Sequence, residues 1–290
     1  MQNREDEVTV SVLTPSLNYE RFLGDAIDSV AAQGLSAQHL VQDGGSSDGT
    51  VELLESRDQI EWRSEPDAGQ SDALNRALAR ATGRWIAWLN SDEYYMPGAL
   101  RTLIAAGDAT AADVVHGDIA LVDEGGRFVK LRSQHSYNSF AMRRFGTHIA
   151  SCAMIVRREA LPSRPWDPSL KVAMDWDLYL TLEERGARFR YVSYPVGAFR
   201  LHGAQVTAND DAWLADADRL GSKHRLPARS RLSVLAGLGA HRGLKIANGA
   251  FLRQARARPV RGVDTRWFRD DVGPGGVREL LSRSYSAKTD

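Results

Sequence analysis

A single cysteine, Cys152, stands in a chain of 290 residues. One thiol cannot build an internal disulfide framework, and its scarcity fits a reducing compartment. No apolar run approaches the roughly 18–20 residues that a membrane-crossing helix needs. The opening residues, MQNREDEVTV, are polar and acidic and pass straight into a strand pattern, which is not the pattern of a signal peptide. A cytoplasmic location is the expectation. Net charge is lacking too: 37 basic and 37 acidic side chains cancel, so the total charge points to no partner. No Gly-Xaa-Gly-Xaa-Xaa-Gly turn follows the first strand, which counts against a dinucleotide-dependent oxidoreductase. Internal repeats and low-complexity segments are absent. What is present is an ordinary globular composition, 43% hydrophobic and 26% charged.

The hydrophobic pattern alternates between strands and helices. Val8–Leu13 reads as a strand, and Phe22, Leu23, Ala26, Ile27 and Val30 recur at helical spacing from Tyr19 to Gln33. A short strand at His39–Gln42 precedes the glycine-rich loop Asp43–Thr50. A helix at Thr50–Ser56 and a strand at Ile60–Trp62 follow. The turn-rich segment Glu65–Asp72 leads into a helix over Ser71–Ala81. Arg84–Leu89 is then a strand apolar on both faces, ending in Asn90, Ser91, Asp92 and Glu93. Four such alternations with short connections predict a parallel sheet covered by helices, with right-handed crossovers. Further along, a helix is expected from Pro97 to Ala106 and short strands at Val114–His116, Ile119–Val122, Phe128–Leu131 and Ala153–Val156. Ser133–Ile149 reads as an irregular loop over the site. A helix at Asp175–Arg185, strands at Phe189–Val192 and Gly197–Leu201, and helices at Trp213–Leu220 and Leu232–Leu252 complete the pattern. The domain boundary is placed near Asp210.

Chemistry-bearing residues gather at the strand ends, where open α/β sheets bind ligands. Glycines in Gln42–Thr50 let the backbone approach a ligand, and Asp43 is placed to accept hydrogen bonds from a base or ribose. Asp48 or Thr50 can cap the next helix. Asp67 and the small residues after it precede a helix N-terminus suited to nucleotide contacts, while Asp72 can be a first-turn acid. Asp92 can hold Mg²⁺ or Mn²⁺, ions that need one or two carboxylates and share water and phosphate ligands. Asn90 and Glu93 are its neighbours. Asp175, at a helix start, can be an N-terminal acid or a general base. Asp177, two positions on, points elsewhere. His202, at a strand end, can be a further metal ligand if it faces Asp92.

The order of these pieces is more telling than any one. Thr-Pro-Ser-Leu-Asn, Gln-Asp-Gly-Gly-Ser-Ser-Asp-Gly-Thr, Asp-Ala-Gly-Gln-Ser-Asp-Ala-Leu-Asn, Trp-Leu-Asn-Ser-Asp-Glu, Met-Asp-Trp-Asp-Leu and Arg-Leu-His-Gly follow one another over residues 8–208. The series resembles the family 2 glycosyltransferases of GT-A fold. That resemblance implies a Rossmann-like α/β domain over residues 1–210, with a mostly parallel central sheet and flanking helices. Residues 211–290 would then be a basic, mainly helical extension. It implies inverting transfer of a sugar from a nucleotide-diphosphate sugar to an acceptor hydroxyl, with UDP the default nucleotide and dTDP or GDP open. The acceptor would be a glycan or lipid-linked molecule of bacterial-type polysaccharide or glycolipid assembly.

By the same resemblance Pro15 and Ser16 line the nucleotide pocket, Asp43 meets the base, and Ser46 and Asp48 belong to the same loop. Asp67 and Gln70 close over nucleotide and sugar. Asn90-Ser91-Asp92 occupies the Asp-Xaa-Asp metal motif, with Ser91 inside it and Asp92 as its main acid. Asp175 matches the base, and His202 a histidine that completes the metal site. Asn90 stands where many members carry Asp, Glu93 where a second Asp is common, and Met174 where an acid is frequent. Asp92 is left as the one matched carboxylate of the metal motif and Asp175 as the sole base of its own. The runner-up reading is a non-catalytic sugar-nucleotide or glycan-binding protein on the same fold.

Between Lys223 and Arg269, twelve basic residues stand against one acid, Asp264. Interleaved apolar residues such as Leu235, Leu238, Ile246 and Phe251 would suit an anionic membrane surface, placing the protein peripherally at the inner face of the cell membrane. The same arginines could pair with the acidic body or hold an oligomer contact. No nucleic-acid recognition motif accompanies the charge.

Overall fold

The structure is a computed structural model that describes residues 8–203, 210–227, 242–247, 249, 250, 254 and 265. The elements run β1 (Val10–Ser16), α1 (Glu20–Ala31), β2 (Ala37–Asp43), α2 (Thr50–Glu55), β3 (Glu61–Ser64), α3 (Gln70–Leu78), β4 (Trp85–Trp88) and β5 (Tyr94–Tyr95). They continue with α4 (Ala99–Thr110), β6 (Val114–Val122), β7 (Phe128–Arg132), α5 (Ser139–Phe145), β8 (Met154–Arg157), α6 (Met174–Glu184), β9 (Phe189–Arg200) and α7 (Asp210–Lys223).

Among the described residues one nine-stranded sheet is ordered β3-β2-β1-β4-β8-β6-β9-β5, with β7 beside β6. The alternation read from the first ninety residues forms its parallel half: β1 pairs in parallel with β2 and β4, and β2 with β3. In the other half only β6 and β9 are parallel. β8 runs antiparallel to β4 and β6, β7 to β6, and β5 to β9, so the sheet as a whole is mixed.

β4 shows how the sequence seats the core. Side chains alternate across a strand, so Trp85, Ala87 and Leu89 join the cluster under α1 and α4. Ile86 and Trp88 join the cluster under α3, α6 and α7. A strand buried on both faces must be apolar throughout, as this one is. The apolar residues of α1 form one buried stripe, Phe22, Leu23, Ala26, Ile27 and Val30, as their spacing requires.

Three expectations are revised. Val114–His116 and Ile119–Val122 are one strand, β6, whose register shifts around Asp118 while its pairing with β9 continues. Phe189–Val192 and Gly197–Leu201 likewise merge into the single strand β9, which ends at Arg200. A Cβ at Gly197 would stand 2.5 Å from the Cys152 carbonyl oxygen, so only glycine lets these backbones approach so closely. The stretch 133–149 is not all loop: Asn138 caps α5 by accepting from Ala141 N at 2.9 Å.

α7 lies beyond the expected boundary near Asp210 and packs on the domain, with Ala217 and Leu220 in the cluster under α6. Of the expected helix Leu232–Leu252, residues 242–247 are helical and most of the rest lies outside the described residues. Of the basic segment, Lys223, Arg225, Arg242 and Lys245 are described.

Candidate active site

Strands β1, β2 and β4 end at one edge of the sheet, and the turns after them build the site. β1 ends in Pro15 and Ser16, and Asn18 then takes a left-handed turn with φ 58°. Its amide donates to Ser46 Oγ at 2.7 Å, and its Oδ1 accepts from Ser47 N at 2.8 Å. The turn after β1 is thereby tied to the loop after β2.

That loop is held by its own carboxylates. Asp43 is fully buried and accepts from Gly45 N, Ser46 N, Ser46 Oγ and Ser64 Oγ at 2.5–3.0 Å. Asp43 thus frames the loop: three of these bonds fall on Oδ2 and one on Oδ1. Asp48 joins two helix starts, accepting from Glu20 N at the head of α1 and from Thr50 N and Oγ1 at the head of α2. Desolvation raises its pKa, but these hydrogen bonds outweigh it and hold the carboxyl below the usual range.

The second wall is Asp67 to Gln70. Gly69 takes φ +107°, a conformation that favours glycine, and starts α3. Asp67 Oδ1 accepts from Gly69 N at 2.8 Å. Burial, together with the charges of Asp72 and Asp43, raises the Asp67 pKa against the pull of Gly69 N and Arg76. Gln70 Nε2 donates to Asn90 Oδ1 at 2.7 Å, and Trp88 Nε1 donates to the same oxygen at 2.7 Å. Asn90 Nδ2 in turn donates to Ser151 Oγ at 3.3 Å.

Asp92 stands between these walls. His202 Nε2 lies 2.9 Å from Asp92 Oδ2, across 110 residues of sequence. The pair has the chemistry and the spacing for a shared ion: two ligands at right angles, each roughly 2.1 Å from a cation, stand about 3 Å apart. Among the described residues no three His, Cys, Asp or Glu side chains converge as a metal cage, so the other positions of such an ion would fall to water and phosphate. Glu93 is buried, and its Oε1 has no hydrogen-bond partner, with the Cys152 thiol as neighbour. Burial, then the Asp92 charge, push its pKa well above the usual carboxylate range.

Pro15, Ser16, Asp67, Gln70, Ser91 and Asp92 line one cavity of about 330 Å³, and Leu17, Tyr19, Gly69, Ala73, Asn90, Glu93 and Phe199 complete it. The volume is in the range of small-molecule sites. Ser91 Oγ is turned away to Pro15 O at 2.8 Å. Ser16 Oγ is buried on the cavity wall with no protein partner, a polar atom that a ligand would satisfy. Asp43, Ser46, Asp48, Asp175 and His202 do not line this cavity. The first three support its loops, and His202 backs Asp92.

Asp175 lies in the first turn of α6, half-buried, accepting from Trp176 N at 2.7 Å. Its neighbour Met174 receives the Ser71 hydroxyl on sulfur at 3.5 Å, which brings the head of α6 against the head of α3, beside Gln70. Burial pushes the Asp175 pKa up to about 6, against the opposing hydrogen bonds from Trp176 N and its own amide. Asp177 points elsewhere, to Lys223 Nζ at 2.8 Å and His224 Nε2 at 2.7 Å.

Two contributors carried little sequence signal. Tyr19 forms part of the cavity, its phenol pKa raised by burial and then by Asp92 and Glu93. Arg200, read in the sequence only as the neighbour of His202, is buried and donates to Asp92 O, Glu124 O and Asp25 Oδ2 at 2.7–3.0 Å. It thus holds the main chain of the acidic turn. A lone arginine in a strand gives no local hint of such a role, because its three partners come from distant segments.

Solved structures share this architecture. TarS of S. aureus in complex with UDP-GlcNAc superposes with a TM-score of 0.59 at 17% identity, over 87% of this chain and 78% of that one. Mannosyltransferase PcManGT from Pyrobaculum calidifontis in complex with GDP-Man and Mn²⁺ gives 0.57 at 16% identity, over 99% and 85%. A mixed α/β sheet with a ligand-sized cavity at the ends of its parallel strands is, with these neighbours, the GT-A fold. The model of glycosyl transferase family 2 matches residues 11–163, more than half the chain, and the chain belongs to that family. It is a glycosyltransferase. A PGL/p-HBAD biosynthesis glycosyltransferase of Mycobacterium bovis is 26% identical over 235 residues, covering 77% of this chain and 86% of the relative. The putative teichuronic acid biosynthesis glycosyltransferase TuaG of Bacillus subtilis is 26% identical over 212 residues, covering 69% and 82%.

Proposed function

We propose that the chain is an inverting, metal-dependent transferase. It moves a sugar from a nucleoside-diphosphate donor, by default a UDP-sugar, to an acceptor hydroxyl on a glycan or lipid-linked molecule. The convergence of Ser16, Asp67, Gln70 and Asp92 on one cavity, with His202 behind Asp92, carries this reading. Neighbours solved with UDP-GlcNAc and with GDP-Man and Mn²⁺ support a nucleotide-sugar donor and a divalent ion. The relatives named for glycolipid and cell-wall polymer biosynthesis support polysaccharide or glycolipid assembly as its setting.

In this mechanism the nucleotide lies against Pro15 and Ser16, with Asp67 and Gln70 closing over it. Asp92 and His202 would hold Mn²⁺ or Mg²⁺. A bound ion would offset the negative charge that develops on the leaving diphosphate. Asp175 takes the proton of the acceptor hydroxyl as the new glycosidic bond forms on the face opposite the departing diphosphate, which inverts the anomeric centre. A carboxyl with a pKa of about 6 is ionised at neutral pH and still basic enough to accept that proton.

The test is a panel of nucleotide sugars assayed with Mn²⁺, the products followed by mass spectrometry and their anomeric configuration by NMR. Turnover with inversion is expected, together with loss of turnover in Asp92→Ala. Donor binding without turnover for any donor would make the chain a sugar-nucleotide-binding protein. Retained activity in Asp92→Ala would remove the metal assignment.

A further inference from the structure

We infer that α7 is a positioning clamp for the reaction's base, acting through Asp216 and through the Asp177 contacts made by Lys223 and His224. This rests on the proposed role of Asp175.

The head of α6 has little support from its own sequence. Its N-cap is Ala173, with no side chain to accept from the free amides of the first turn. Asp216, from the middle of α7 and 1% exposed, instead fixes the turn that leads into the helix. Its Oδ2 receives the consecutive amides of Lys171, Val172 and Ala173 at 2.7, 2.8 and 3.1 Å. Those residues directly precede Met174 and Asp175. The other side of the base is gripped from the C-terminal end of α7 and the residue after it. Both oxygens of fully buried Asp177 are taken, Oδ2 by Lys223 Nζ at 2.8 Å and Oδ1 by His224 Nε2 at 2.7 Å. His224 Nδ1 reaches Glu184 at the far end of α6, 3.0 Å away. Asp175 therefore sits between two clasps, one ending two residues before it and one acting two residues after it. Both come from α7 and the residue that follows it, beyond the family-matched residues 11–163.

The donor cavity is built without either helix: its lining comes from residues 15–93 and Phe199. Loosening the clamp should therefore misplace the base and leave the nucleotide's seat intact. A displacement of about 1 Å in a catalytic group can cost on the order of a hundredfold in rate.

The experiment compares full-length wild type with Asp216→Ala, the isosteric Asp216→Asn, and Asp175→Asn as reference. Three quantities are read: affinity for UDP with Mn²⁺ by calorimetry, UDP release from UDP-sugars, and hydrogen exchange of the 171–173 amides. For Asp216→Ala the expectation is a kcat lower by roughly ten- to a hundredfold with UDP affinity within about twofold, and lost protection at 171–173. Asp216→Asn, which keeps a carbonyl acceptor and the volume, should fall between. Wild-type kcat in Asp216→Ala with Asp175→Asn inactive overturns the clamp alone. Full rate in Asp175→Asn overturns the base and the clamp with it. Parallel losses of kcat and UDP affinity in the isosteric Asp216→Asn would show a general structural role and overturn the proposal as well.

Discussion

The acid limb of the pH–rate profile should report the burial of Asp175. The carboxyl has a pKa of about 6 because burial disfavours its charged form, and hydrogen bonds from Trp176 N and its own amide recover only part of the shift. If ionised Asp175 accepts the acceptor proton, activity follows its ionised fraction. That fraction is about 91% at pH 7 and about 9% at pH 5, so kcat/KM should fall roughly tenfold between them. An aspartate at the ordinary value of 3.8 would remain more than about 90% ionised at pH 5 and show almost no fall. The assay is the initial rate of nucleotide release at subsaturating donor and fixed Mn²⁺, from about pH 4.5 to 8, since kcat/KM reports groups of the free enzyme. Circular dichroism at each pH separates titration from unfolding. Asp175→Asn should lower the rate by about 10²–10⁴ and lose this limb. A limb centred near 4, or one near 6 that survives in Asp175→Asn, would refute the reasoning.

Three further outcomes are expected. Arg200→Met removes a buried cation from Asp25 and from two carbonyls. It should cost about 3–5 kcal/mol, lowering Tm by roughly 10 °C; a change under about 2 °C by calorimetry would contradict the role given to Arg200. Burial lowers the His224 pKa, but the hydrogen bonds and charges of Asp177 and Glu184 outweigh it and raise it above 6.5. Its stabilisation is thus complete below that value and lost as pH rises through the folded pKa. Urea titrations of wild type and His224→Gln should diverge on the acid side and converge at high pH, and the opposite trend would overturn the sign. If the basic segment 223–269 binds an anionic membrane, the full chain should float with phosphatidylserine vesicles and lose that flotation in about 0.5 M salt; no flotation, or flotation indifferent to salt, would end that idea. Among the described residues no helix is long and apolar enough to cross a membrane.

The parallel half of the sheet was legible because each of its signals is local. β4 is apolar at every position since both its faces are covered, and the stripe of α1 shows at helical spacing because one face meets the sheet. The second half was less legible. Gly117 and Asp118 interrupt the apolar pattern of β6, and only the continuous pairing with β9 shows that the strand carries through. α5 has a mixed pattern, stabilised by the Asn138 cap and by Trp176 Nε1 bonding to Met142 O from another helix.

For the site, the sequence by itself determined which residue types arrive at the strand ends, and in what order. The acids at 43, 67, 92 and 175 and the histidine at 202 were all visible there. Tertiary structure alone decided how they are used. Asp43 is turned inward to hold its loop, while Asp92 meets His202 across 110 residues. Asp216, in a segment with no recognisable motif, grips the turn before Asp175. The physical reason is that propensity and periodicity act over a few residues. A carboxylate's role depends on which donors the folded chain brings within about 3 Å, and whether it is buried there.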